Sequence, residues 1–169
     1  MLNVSVNIDY EILKRNFLIF FSLMFLSLQS SAMSIFFSGE KSQITLMSPM
    51  SGVITFNGVP VNNANIEQWI KWNTPEGEVE TFFTDENGRF SLPGKQANYR
   101  DHPLAQLVVT QELTVKYKGE KILIWSLSRM DAEEDSEFES KLTQVSCELT
   151  GELEMHRFEN TSLATLCKW

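Results

Sequence analysis

Residues 78–94 read EVETFFTDENGRFSLPG, and the reading of this stretch decides the fold. Val79 to Thr84 is rich in aromatic and β-branched residues, which suit a strand. DENG then turns the chain. The Asp85 carboxylate can accept bonds from the amides that follow it, and Gly88 supplies a left-handed backbone position. RFSLP returns with Phe90 and Leu92 on one face, and Pro93-Gly94 ends the strand. The stretch is therefore a β-hairpin.

Working upstream, SGVITFNGVPV holds a second strand, Val53 to Phe56, with Gly52 at its start. Asn57-Gly58 is the strongest short hairpin signal, because a type I′ turn needs positive φ at both central positions. Pro60 lacks an N–H donor and belongs at a sheet edge or a connection. Asn65 to Trp72 fits a strand or a short helix. Its content of Ile and Trp and the TPEG turn after it favour the strand.

Working downstream, KQANYRDHPLAQ (95–106) reads as a loop, or a short lid over one end. LVVTQELTVKYKG is strand-rich, Gly119 marks a turn, and Lys121 to Ser128 is a further strand. Residues 131–141, DAEEDSEFESK, are an acidic run expected to form a solvated loop. LTQVSCELT holds a last clear strand, and residues 151–169 read as an irregular tail. Several short strands separated by turn signals imply an all-β, antiparallel β-sandwich.

The two quoted phrases carry a resemblance. SGVITFNGVPVNNANI followed by TFFTDENGRFSLP resembles the carboxypeptidase-regulatory-like, or transthyretin-like (prealbumin-like), β-sandwich. The opening pattern falls on Gly52, Ile54, Gly58, Pro60, Val61, Ala64 and Ile66, and the second phrase on Thr84, Asp85, Gly88 and Phe90. The resemblance covers about residues 50 to 95 and implies a seven-stranded sandwich. It is nearly silent on activity, because a fold does not fix a function. The later half looks like an uncharacterised exported bacterial group built on that sandwich. Hydroxyisourate hydrolases share the fold but end in Tyr-Arg-Gly-Ser, whereas this chain ends TLCKW.

The first third differs from the rest. Lys14-Arg15 precedes an uncharged apolar run from Phe17 to Leu28, followed by the small residues Ser30 and Ala32. That order is the grammar of a signal peptide. The run is well short of the ~20 residues a spanning helix needs. The expectation is a leader over 1–32 cleaved after Ala32, one domain over 33–169, and a periplasmic protein; the alternative is a segment that stays uncleaved as a membrane anchor. In an exported chain the two cysteines, Cys147 and Cys167, read as one disulfide pinning the tail.

The 169-residue chain carries a net charge of −8 and a pI near 4.8. An acidic chain repels phosphate backbones, which disfavours nucleic acid and favours a basic protein partner, or none. There is no GxSxG and no HExxH, and the cysteine and histidine spacings complete no metal site, so neither a cofactor nor a metal is implied. His102, beside Asp101, is the one candidate base. His156, near Glu154 and Glu159, reads as structural. Candidate partner-binding residues are Asp131, Glu133, Glu134 and Asp135 in the acidic run, with Phe138 as an aromatic anchor. Trp69 and Trp72 offer a second binding face, and Trp125 in ILIWSL reads as core. The leading expectation is a non-enzymatic binder, in its concrete form an immunity-type inhibitor of a cell-wall-acting toxin. The alternative is a carbohydrate- or envelope-binding accessory domain, and an enzyme using His102 ranks last.

Overall fold

The computed structural model describes residues 41–101, 105–137 and 144–169, and they form an all-β sandwich. The leader, His102, Phe138 and Glu139 lie outside the described residues. The strands run β1 (Lys41–Met47), β2 (Met50–Phe56), β3 (Val59–Pro60), β4 (Asn65–Lys71), β5 (Glu78–Phe83), β6 (Arg89–Leu92) and β7 (Lys95–Arg100). They continue as β8 (Val109–Tyr117), β9 (Glu120–Arg129), β10 (Val145–Glu148), β11 (Glu154–Arg157), β12 (Thr161–Thr165) and β13 (Cys167–Lys168). One sheet has the order β11-β12-β9-β8-β4-β5; a second runs β13-β10-β2-β3, with β6 also on β2; β1 and β7 pair with each other. Among the described residues every ladder is antiparallel except β2–β10, which is parallel.

The alternation in the sequence sets the core. Ile54, Phe90, Leu92, Val145 and Cys147 from the smaller sheet meet Ile66, Ile70, Leu113, Trp125, Leu127 and Leu163 from the larger one. Trp125 is fully buried, as its apolar run led one to expect.

The phrases SGVITFNGVPVNNANI and TFFTDENGRFSLP interlock, which explains their spacing. Phe90 pairs with Gly52 across β2 and β6; a Cβ on Gly52 would meet Val145 of β10 first, at its carbonyl oxygen, and the Phe90 ring next, at 3.0 Å. Thr84 closes the other end: its hydroxyl accepts from the Ala64 amide at 2.8 Å and donates to the Val61 carbonyl at 2.6 Å. Gly88 has φ +72°, and a Cβ there would sit 2.6 Å from the Ile54 carbonyl oxygen. Asp85 Oδ1 accepts from Asn87 N and Arg89 N, both at 2.8 Å. Asn57 and Gly58 have φ of 52° and 75°, the type I′ geometry.

Two segments read as irregular are strands. Residues 95–100 are not a loop or lid but β7, paired with β1 from Lys41↔Arg100 to Met47↔Lys95. The tail forms β11, β12 and β13, with β12 on β9 and β13 on β10.

Strand β1 is held across the sandwich by side chains. Gln68 of β4 donates to Met47 Sδ at 2.7 Å, Gln111 of β8 to the Leu46 carbonyl at 2.5 Å, and Arg129 of β9 to the Thr45 carbonyl at 2.6 Å. Residues 44–48 are buried, so the two carbonyls reached by Gln111 and Arg129 would otherwise lose their solvation.

Candidate partner-binding surfaces

The acidic run splits into a buried anchor and an exposed tip. Glu137 is 3% exposed and sits 3.3 Å from the Nη2 of Arg129, itself fully buried. Its carboxylate also accepts from Ser48 N at 2.8 Å, Ser48 Oγ at 2.7 Å and Gln111 Nε2 at 3.3 Å. Arg129 Nη1 donates to the Glu133 carbonyl at 3.0 Å and to the Ser136 hydroxyl. Burial pushes the guanidinium pKa down, with Glu137 and then Asp131 pulling it back up. The expectation of a solvated loop is thus corrected for Glu137. An internal cation makes that carboxylate part of the interior, because a buried charge needs a partner and hydrogen bonds.

The remaining acids are placed by this anchor. The Asp135 amide donates to Ser48 Oγ at 2.8 Å, and Asp135 has φ 62°. Asp131 Oδ1 accepts from Glu133 N at 2.8 Å. Asp131 and Asp135 are half-buried, while Glu133 and Glu134 are exposed. Two of the four candidate carboxylates, Glu133 and Glu134, are therefore exposed, on a loop whose base is fixed.

The tryptophans do not share a face. Trp69 is half-buried on the outer side of β4, with Nε1 donating to the Glu76 carbonyl at 2.9 Å and Val79 opposite it on β5. Trp72 packs against the core instead. The alternation of β4 accounts for the difference: Ile66, Gln68 and Ile70 are buried, and position 72 continues that parity. Beside Trp69, Glu67 bonds Lys116 and, at 3.0 Å, Lys121, and these contacts hold its carboxyl below the usual range, Lys116 first.

A third surface was not singled out in the sequence. Glu154, His156, Cys167, Lys168 and Trp169 line an open recess of about 280 Å³. His156 meets Trp169 edge-on with centroids 5.2 Å apart. Cys167 contributes no thiol there, since it is bonded to Cys147, directly opposite on β10. Among the described residues no three His, Cys, Asp or Glu side chains are grouped to hold a metal, and no helix is long and apolar enough to cross a membrane.

These features define a disulfide-bonded β-sandwich displaying acidic and aromatic surfaces. The chain belongs to the family described as Domain of unknown function (DUF6795), whose pattern matches residues 50–152. The match begins with β2 and ends between β10 and β11. No curated protein and no solved structure matches the chain.

Proposed function

We propose that the chain is a non-enzymatic, exported β-sandwich that binds a basic macromolecular partner in the periplasm, in its concrete form as an immunity-type inhibitor of a cell-wall-acting toxin. The transthyretin-like resemblance is part of the same proposal and supplies a scaffold, not a reaction. The observation that supports binding is the loop at 131–137, where exposed Glu133 and Glu134 ride on a base clamped by Arg129, Glu137 and Ser48. A loop already fixed loses little entropy when a partner arrives. Its charge acts mainly on the rate of encounter, which salt screens.

The test is co-purification of the full chain from a periplasmic extract, then binding kinetics at low and high salt. Glu133→Gln/Glu134→Gln should slow association by about threefold to tenfold at low salt and flatten the salt dependence. His102→Ala/His156→Ala should leave binding and protection intact. Loss of protection in the folded histidine variant would replace this reading with catalysis, and an unchanged association rate in the glutamate variant would remove the loop from the contact.

The recess at Trp169 favours a second reading, an envelope-glycan binder. An aromatic ring flanked by a carboxylate, an imidazole and an amine suits the apolar face and hydroxyls of a sugar. Titration with cell-wall glycan fragments, followed by tryptophan fluorescence in wild type and Trp169→Ala, separates the two.

A further inference from the structure

We propose that β5 is a docking edge that accepts an extended, basic segment of a partner protein as an added strand. The inference goes beyond the acidic loop and needs a different surface. β5 is the outermost strand of the six-stranded sheet, with β4 on one side, and among the described residues no strand pairs with its other side. Alternate residues of such a strand turn their N–H and C=O groups outward, a template for another chain.

The side chains fit a strand partner. Val79 is 61% exposed and Phe83 is 56% exposed; Thr81 lies exposed between them on the same face. Half-buried Trp69 continues that face on β4. Edges are normally blunted, and Glu78 and Glu80 do part of that here, so two large exposed apolar side chains on one are a feature to explain. The other face carries Phe82, half-buried against the core, and beyond it Glu78 and Glu80, which reach a single cation, Lys95, at 2.8 Å and 2.5 Å. One ammonium between two carboxylates leaves a net negative charge. Residues 76 to 86 add Glu76, Asp85 and Glu86 and contain no Lys or Arg.

Charge then selects the occupant. A second copy pairing β5 to β5 would bring the same carboxylates together, and like charges across a ladder are unfavourable. An incoming strand with apolar residues on the Val79–Phe83 face and Lys or Arg on the Glu78–Glu80 face satisfies both sides. Main-chain bonds supply affinity and the alternating side chains supply selectivity.

The probe is a capped, dye-labelled peptide of about eight residues alternating valine and lysine, a common strand length. It is titrated into the full chain by fluorescence anisotropy. Saturable binding is expected, and one of two versions N-methylated at alternate residues, one for each parity, should bind at least about tenfold more weakly, the loss of roughly 1.4 kcal/mol of ladder bonds. Val79→Lys/Phe83→Lys should weaken binding by a similar factor, whereas Glu133→Gln/Glu134→Gln should leave it within about twofold. A valine–glutamate peptide should not bind. The proposal is overturned by absence of saturable binding, by equal binding of both N-methylated peptides and the parent, or by binding lost in the loop variant and kept in the edge variant. A failed edge leaves the loop reading to its own test, so the two fail separately.

Discussion

Glu148 gathers five hydrogen bonds: from Thr55 Oγ1 at 2.8 Å, Asn57 N at 2.8 Å, Gly58 N at 2.9 Å, and Thr150 N and Oγ1 at 3.1 and 2.7 Å. It caps the Asn57-Gly58 turn from 91 positions away. The Thr150 hydroxyl leads in holding its pKa at about 2, below the ordinary 4.5, and the Gly58, Thr150 and Thr55 donors add to it against the opposing pull of burial. A pKa lowered by folding means the ionised form stabilises the fold. That contribution is whole above about pH 4.5 and is lost as the pH falls through about 2. Solvent screens these contacts, so Glu148→Gln should cost about 1 kcal/mol at neutral pH, and the gap to wild type should close on acidification. Urea melts of both proteins at neutral pH and near the lower end of that range measure this; a gap independent of pH would refute the role. In the sequence, Glu148 is only a strand residue, since nothing local reveals a partner so far along the chain. The turn itself was legible, because Asn57-Gly58 carries its geometry in two adjacent residues.

At the scale of elements, the Arg129–Glu137 pair ties β9 and the loop after it to the end of β1. Removing one member leaves a buried charge without its counter-ion. Glu137→Leu alone is expected to cost about 3–5 kcal/mol, while Arg129→Met/Glu137→Leu should cost less than the two single losses added together but recover only part of them, because the Thr45 carbonyl and the Ser48 amide then lose their partners. Guanidinium unfolding of the two single variants and the double closes the cycle; additive losses would show that the two residues do not act as a pair. Acids outnumber bases in 131–141, so the sequence alone predicts a solvated loop; the cation that changes this, Arg129, lies at the end of the preceding strand. β7 was missed for a related reason. Gln96, Asn98 and Arg100 are exposed and polar, and only Lys95, Ala97 and Tyr99, half-buried between them, carry the two-residue period. In β12 the signal was there: Thr161, Leu163 and Thr165 are buried and Ser162 exposed, but Thr and Ser mute the hydrophobic contrast. The hairpins around 57–58, 85–88 and 118–119 were legible because turn chemistry is local.

For the whole molecule, the disulfide bridges β10 and β13 over a separation of 20 residues. Both cysteines are buried. Replacing both with serine should lower stability by about 3 kcal/mol in the chain-entropy account. Unreduced mass spectrometry should show a two-hydrogen deficit, and denaturant melts with and without reductant should differ; coincident melts would deny the bond a stabilising role. The same region holds the one parallel ladder among the described residues. β2, among the first strands in the chain, lies beside β10, among the last, with Val145 against Gly52 and Glu148 against Thr55. Time enters here. A chain appearing from its N-terminus presents β2 early, with β3 and β6 available as neighbours on one flank. Its other flank waits until residue 148 has appeared, and the Glu148 cap waits with it. Contacts so distant along the chain are slow to find, on the order of milliseconds to seconds. Completion of the smaller sheet thus waits for residues 145–168, and shorter nascent forms remain open along β2.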